Sequence, residues 1–163
     1  MDRIEFLERL ARVKILFVSL SAIPAECVRG RKDVSPYAMF LSLCAYRDVN
    51  FVRGRGVAPY LSFRDSHFKT VGWCRAAGVD YAACDTNAWE RRRRFERFLR
   101  WNRCGYDDVL CLASEMEDCD MVQRAGLSAC PSSAHSDIRG LADFVSEVHG
   151  RSGFVSDICR MFA

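Results

Sequence analysis

Short apolar runs alternate with helix-period segments along almost all of this 163-residue chain, and that alternation limits the folds open to it. Residues 14–19 (KILFVS) are apolar through the middle and close on a serine. Residues 107–114 (DDVLCLAS) follow the same plan, and shorter runs lie at 79–84, 127–130 and 143–146. Helical patterns separate them near 66–77, 87–103, 118–125, 135–142 and 153–162. Strands divided by helices need crossover connections, which produce a mainly parallel sheet covered on both faces. The expected fold is therefore α/β, a three-layer Rossmann-like arrangement in one domain over 1–163. Sheets of this kind bind ligands beyond the carboxyl ends of their strands. The positions to inspect are Ser19 and Ser21, Asp85 and Thr86, and Ala113 to Asp118.

Two further segments complete the reading. Pro36 suits an early helical position, which predicts a helix over 37–47. Residues 50–63 (NFVRGRGVAPYLSF) read as two short strands about a Gly-rich turn, a small β-hairpin flap. Gly78 is placed to end the helix at 66–77. Apolar Ile4, Leu7, Leu10 and Ala11 recur at helical spacing in the first segment.

Composition excludes several classes. No stretch of eighteen consecutive apolar residues exists, so no membrane-spanning helix is expected. Asp2, Glu5 and Glu8 make the start unlike a signal peptide or a mitochondrial presequence, and the expected location is intracellular, the cytoplasm. Nine cysteines form an odd set without C-x-x-C spacing, and most sit in apolar runs. They read as reduced, buried small hydrophobes and not as zinc ligands. The net charge of +3 is too small by itself to imply a polyanion partner. Only three of the 24 basic residues are lysine, Lys14, Lys32 and Lys69. Guanidinium forks suit phosphate and carboxylate, although codon bias also yields such a ratio.

The last third carries the most information. Its landmarks are Ala113-Ser114-Glu115-Met116-Glu117-Asp118, Ala125-Gly126-Leu127 and Pro131-Ser132-Ser133-Ala134-His135. Ala142-Asp143-Phe144-Val145 and Gly150-Arg151-Ser152-Gly153 follow. In order and spacing this segment of about 50 residues resembles the small haloacid-dehalogenase-type phosphatases that act on 3-deoxy-D-manno-octulosonate 8-phosphate. It is equally similar to the C-terminal domain of animal CMP-N-acylneuraminate synthetases. Upstream, FRDSHF at 63–68 is similar to that family's V-R-D-G, residues 25–49 look like an insertion, and the chain looks shortened between Cys84 and Asn87.

The resemblance implies an aspartate nucleophile, an aspartate acid/base two residues on, magnesium between the first and last acidic motifs, and Ser/Thr and Lys on the phosphoryl group. Here the nucleophile position is Ser19 and the acid/base position Ser21. The metal positions are Ser114, Glu115 and Asp118, the Ser/Thr position is Asp85 or Thr86, and the Lys position is Arg91 or Arg92. A serine is a poor nucleophile without a base, and two neutral serines leave magnesium short of charge. The expectation is a degenerate, non-catalytic domain without cofactor, working in oligomerisation or as a subunit of a larger assembly. The alternative is a magnesium-dependent phosphatase on an octulosonate- or sialate-type phosphomonoester.

The helix at 87–103 leaves three readings open. Phe95, Phe98, Leu99 and Asn102 form a packing face, and the arginines a solvated side. Arg91, Arg92 and Arg151 could instead hold an anion or a partner group. The arginines with Trp89 and Trp101 could also engage RNA in a ribonucleoprotein or an acidic protein.

Overall fold

The structure is a computed structural model that describes residues 1–19, 46–63, 68–83, 87–148 and 153–162. Elements are numbered among these. They run α1 (Arg3–Leu10), β1 (Ile15–Ser19), α2 (Tyr46–Gly54), β2 (Ala58–Phe63), α3 (Phe68–Ala77) and β3 (Asp80–Ala83). Then come α4 (Ala88–Trp101), β4 (Val109–Leu112), α5 (Cys119–Arg124), β5 (Leu127–Pro131), α6 (Ser136–Leu141), β6 (Phe144–Ser146) and α7 (Phe154–Arg160). One-turn 3-10 helices at Tyr106–Asp108 and Met116–Asp118 flank β4.

Among the described residues all five strand pairings are parallel, and the order is β3-β2-β1-β4-β5-β6. Successive strands move outward from β1 on one side and from β4 on the other. The direction reverses between β1 and β4, and crevices open at such a reversal. Alternate side chains of β1 go to opposite layers. Leu16 and Val18 pack with Phe6, Val52, Phe154 and Ile158 on one face. Ile15 and Phe17 pack with Phe95, Leu99, Val122 and Ile138 on the other. The three layers and the parallel sheet are those the alternation predicts. Among the described residues, no helix is long and apolar enough to cross a membrane.

The β-hairpin at 50–63 needs correction. Residues up to Gly54 belong to helix α2, and only 58–63 form a strand, paired in parallel with both β1 and β3. Gly56 has φ +79°, and the Gly56 and Val57 N–H groups donate to Arg53 and Val52 carbonyls. That is a glycine ending a helix. A hairpin turn and a left-handed helix end both require positive φ, so Gly-Arg-Gly fits either pattern. Packing decides: Val52 is fully buried on α2, and buried Ser156 of α7 hydrogen-bonds Asp48 on the same helix. The helix expected at 37–47 lies outside the described residues, except that Tyr46 and Arg47 open α2. Most of the 25–49 segment lies outside them as well.

Ahead of the sheet, Lys14 pairs with Asp108 at 3.0 Å, and Gly105 N–H donates to Asp108 Oδ2 at 3.0 Å. The Gly105 hydrogen bond first, then Lys14, holds the Asp108 carboxyl below its ordinary value. A carboxyl with a depressed folded pKa contributes stability above its unfolded pKa of about 3.9 and loses it as pH falls through the folded pKa. Asp108→Asn keeps an acceptor for Gly105 but removes the titration. The expected result is a melting temperature that falls less steeply with pH below about 4 than in the natural protein.

Candidate functional site at the strand ends

Ser19 closes β1 beside the point where strand order reverses, and it is 3% exposed. Its Oγ donates to Asp118 Oδ2 at 2.7 Å, across 99 residues of chain. Asp118 arrives there because the chain leaves β4 through buried Ala113 and Ser114 and closes a 3-10 turn, with Asp118 N–H bonded to Glu115 O at 3.0 Å. Ser114 O accepts from His135 N–H at 2.9 Å, which ties the loop after β4 to the loop after β5. The ends of β1, β4 and β5 are thus linked by hydrogen bonds.

The N-terminal part of α4 forms the opposite wall. Asn87 caps it, accepting Glu90 N–H on Oδ1 at 2.9 Å, which satisfies one of the helix's orphan donors. Phe95 seats the helix edge-on against Phe17 and Tyr60, with ring centroids 5.0 and 4.9 Å apart. One turn earlier, Arg91 and Arg92 face a cleft that also contains Ser62, Asp118 and Asp120. The Arg92 guanidinium stands 3.9 Å from Asp120 and 3.8 Å from Glu96. Arg91 forms no ion pair with an acid among the described residues.

The expected site residues therefore separate into three groups. Ser19 and Asp118 meet directly, and Arg91 and Arg92 line the same cleft as Asp118. Ser114 is buried at the end of β4, whereas Glu115 is exposed and absent from the cleft wall. Ser21, Asp85, Thr86 and Arg151 lie outside the described residues. Sequence reasoning missed Ser62, whose register partner on β1 is Ser19. The misread hairpin hid it, since a flap residue would not stand beside Ser19. Asp120 was also missed, though Arg124 accompanies it one turn on and bonds it at 2.8 Å.

No group of three His, Cys, Asp or Glu side chains suited to a metal occurs among the described residues. The six described cysteines are free thiols. Burial pushes Cys74 and Cys159 up to about 12 and Cys130 up to about 11. Cys111, in β4, is pushed well up by burial first and by the charge of Asp118 second. These four stay protonated and uncharged, as cysteines serving as core hydrophobes do.

No protein-family model matches the chain, and no curated protein matches it. Solved structures do. A HAD superfamily (subfamily III A) hydrolase from Legionella pneumophila, itself described as putative, superposes with a TM-score of 0.76 at 14% identity, covering 97% of this chain and 86% of that one. The 3-deoxy-D-manno-octulosonate 8-phosphate phosphatase from Yersinia pestis gives 0.75 at 12% identity, covering 97% and 84%. The Moraxella catarrhalis phosphatase of the same name, in complex with magnesium, phosphate and the sugar acid, gives 0.76 at 10% identity, covering 99% and 91%. The chain has the haloacid dehalogenase-like fold.

Proposed function

We propose that this chain, built on the haloacid dehalogenase-like fold, is a non-catalytic counterpart of the sugar-acid phosphatases that works by binding, as a protomer of an oligomer or a subunit of a larger assembly. The observation that carries the reading is the Ser19–Asp118 hydrogen bond at 2.7 Å. By resemblance, Ser19 occupies the position of the attacking carboxylate. For its oxygen to attack phosphorus, its proton must pass to a base in the transition state. Asp118 accepts that proton in a hydrogen bond, but attack by a hydroxyl would leave a phosphoserine ester, which lacks the acyl-phosphate reactivity that lets water complete the cycle. No aspartyl phosphate can form on a serine. The residue two positions on, Ser21, has no carboxyl group to act as general acid.

The donor set also fits magnesium poorly. That ion takes octahedral oxygen ligands with carboxylates among them. Here the positions at the ends of β1 and β4 are neutral serines, one Asp118 oxygen accepts from Ser19, and Glu115 is exposed. One specific observation favours the alternative phosphatase: Asp118 shares its cleft with Arg91 and Arg92, two cations suited to a phosphomonoester.

Three measurements test the reading. With magnesium and p-nitrophenyl phosphate or 3-deoxy-D-manno-octulosonate 8-phosphate, phosphate release should stay at the rate of the uncatalysed reaction. The combined variant Ser19→Asp, Ser21→Asp and Ser114→Asp should gain a magnesium-dependent rise in melting temperature. A ligand at a hundredfold excess over Kd stabilises by about 2.7 kcal/mol, or roughly 5–10 °C for a domain of this size. Magnesium-dependent turnover by the natural protein, abolished by Asp118→Asn, would overturn the proposal in favour of the phosphatase. The assembly role is read from the mass in solution by light scattering, alone and in native extract. A single-chain mass in both would remove it.

A further inference from the structure

We infer that the outer face of α4 docks single-stranded nucleic acid, with Trp101 as a stacking platform and arginines as phosphate clamps. The helix is amphipathic in an unusual sense. Phe95, Phe98 and Leu99 are buried beneath it, while Arg93, Arg94, Arg97 and Arg100 are all exposed. Helical spacing puts Arg93, Arg97 and Arg100 on the side opposite the buried stripe and Arg94 on its flank. The exposed large hydrophobic residues of this helix are both tryptophans, Trp89 at 55% and Trp101 at 87% exposure. They lie one near each end, and twelve residues of helix separate them by about 18 Å.

Charge and ring geometry together select the ligand. Arg94 is engaged by Glu90 at 3.2 Å, whereas Arg97 and Arg100 pair with no acid among the described residues. Arg93 places its guanidinium carbon over the Trp89 ring, 4.7 Å from the centroid, a cation–π contact. Trp101 stands at the mouth of an open groove between α4 and the edge strand β3, with Arg94, Arg97 and Tyr81 along it. Asp80 is the opposing charge in that groove. Neighbouring arginines one turn apart lie about 5–6 Å from each other at Cβ, a reach that suits consecutive phosphates of an extended strand. Bases stack on bare aromatic rings without regard to sequence, and arginine adds to that stacking.

An acidic protein segment offers the same charge but needs more. Protein interfaces build around a desolvated apolar centre ringed by polar residues. On this face Trp89 lies under Arg93, Trp101 shares its groove with Tyr81, Arg94 and Arg97, and Phe95, Phe98 and Leu99 of α4 are buried. The pattern is that of a ridge for a charged, ring-bearing chain. The inference does not depend on whether the strand-end cleft turns over substrate.

Fluorescence anisotropy of a 3′-fluorescein decauridylate with the full chain tests it. Binding should weaken between 50 and 200 mM KCl with a log–log slope of about −2 to −3, the value for three or four phosphates on a single strand. Trp101→Ala should weaken binding about tenfold or more. Arg97→Glu/Arg100→Glu should weaken it and flatten the salt slope. Both variants alter exposed side chains, so their melting temperatures should match the natural protein's and separate binding from folding. Absence of binding at 50 mM KCl, or equal binding by both variants, would overturn the inference. So would a Glu-rich dodecapeptide that displaces the oligonucleotide and shows the same dependence on Trp101, which would assign the face to a protein partner.

Discussion

Phe95→Ala should lower the melting temperature by roughly 6–20 °C. Truncating a buried phenylalanine costs about 3–5 kcal/mol, and each kcal/mol is worth about 2–4 °C in a domain of this size. Phe95 is 1% exposed and meets four other rings, Phe17, Tyr60, Phe98 and Tyr106, with centroids 5.0, 4.9, 6.2 and 6.1 Å away. The edge-on pairs with Phe17 and Tyr60 add to the burial term. The substitution leaves a hole between α4 and the two strands that end at Ser19 and Phe63. Phe95→Leu keeps most of the volume and should lose less than half as much. Because α4 carries Arg91 and Arg92 into the cleft, the alanine variant should also loosen that wall. Thermal unfolding followed by near-ultraviolet circular dichroism reports both effects. An alanine variant melting within 2 °C of the natural protein would mean that α4 is not seated on this ring cluster.

Gly126→Ala should be the most damaging change of a glycine among those described, at about 3 kcal/mol or a loss of roughly 6–12 °C. A methyl group there would lie 2.5 Å from Asp107 O, 2.7 Å from Asp107 Cα and 2.8 Å from Asp107 C. These are backbone atoms, and a rotamer change cannot move them aside. Gly126 N–H also donates to Tyr106 O at 2.8 Å, so the approach of the two segments is fixed by a hydrogen bond. That contact sets the entry to β5 against the entry to β4. Gly140→Ala provides the contrast. It sits in α6 with nothing within 4 Å of the added methyl, and alanine is the better helix former. It should melt at or slightly above the natural temperature. Similar losses for both variants would mean that close approach is not what Gly126 provides.

The sheet was legible because parallel strands buried on both faces must be apolar throughout. Runs such as Ile15 to Val18 and Val109 to Leu112 leave few other places in a protein. The long helix was legible from Asn87 as its cap and from Phe95, Phe98 and Leu99 at helical spacing. Residues 50–63 failed for a local reason. Glycine at positive φ serves a helix end as readily as a hairpin, and only Val52 packing under α7 and the pairing of β2 with β1 distinguish them. The same error removed Ser62 from the expected site, because it placed the end of β2 outside the sheet.

By itself the sequence determined the α/β class, the strand ends as the place for chemistry, and the presence of serine where the resemblance calls for aspartate at 19 and 21 and for aspartate or asparagine at 114. Residue identity carries such facts, and no packing alters them. Tertiary structure alone decided that the Ser19 hydroxyl meets Asp118, that Ser62 lies beside Ser19, and that Glu115 stays exposed. It also decided that Trp101 stands almost bare next to Arg97 while Phe95 and Phe98 are covered. The physical reason is the same in each case. Hydrogen bonds and exposure depend on segments up to 99 residues apart arriving at one point, and that arrival is set by strand order and register, which local patterning does not encode.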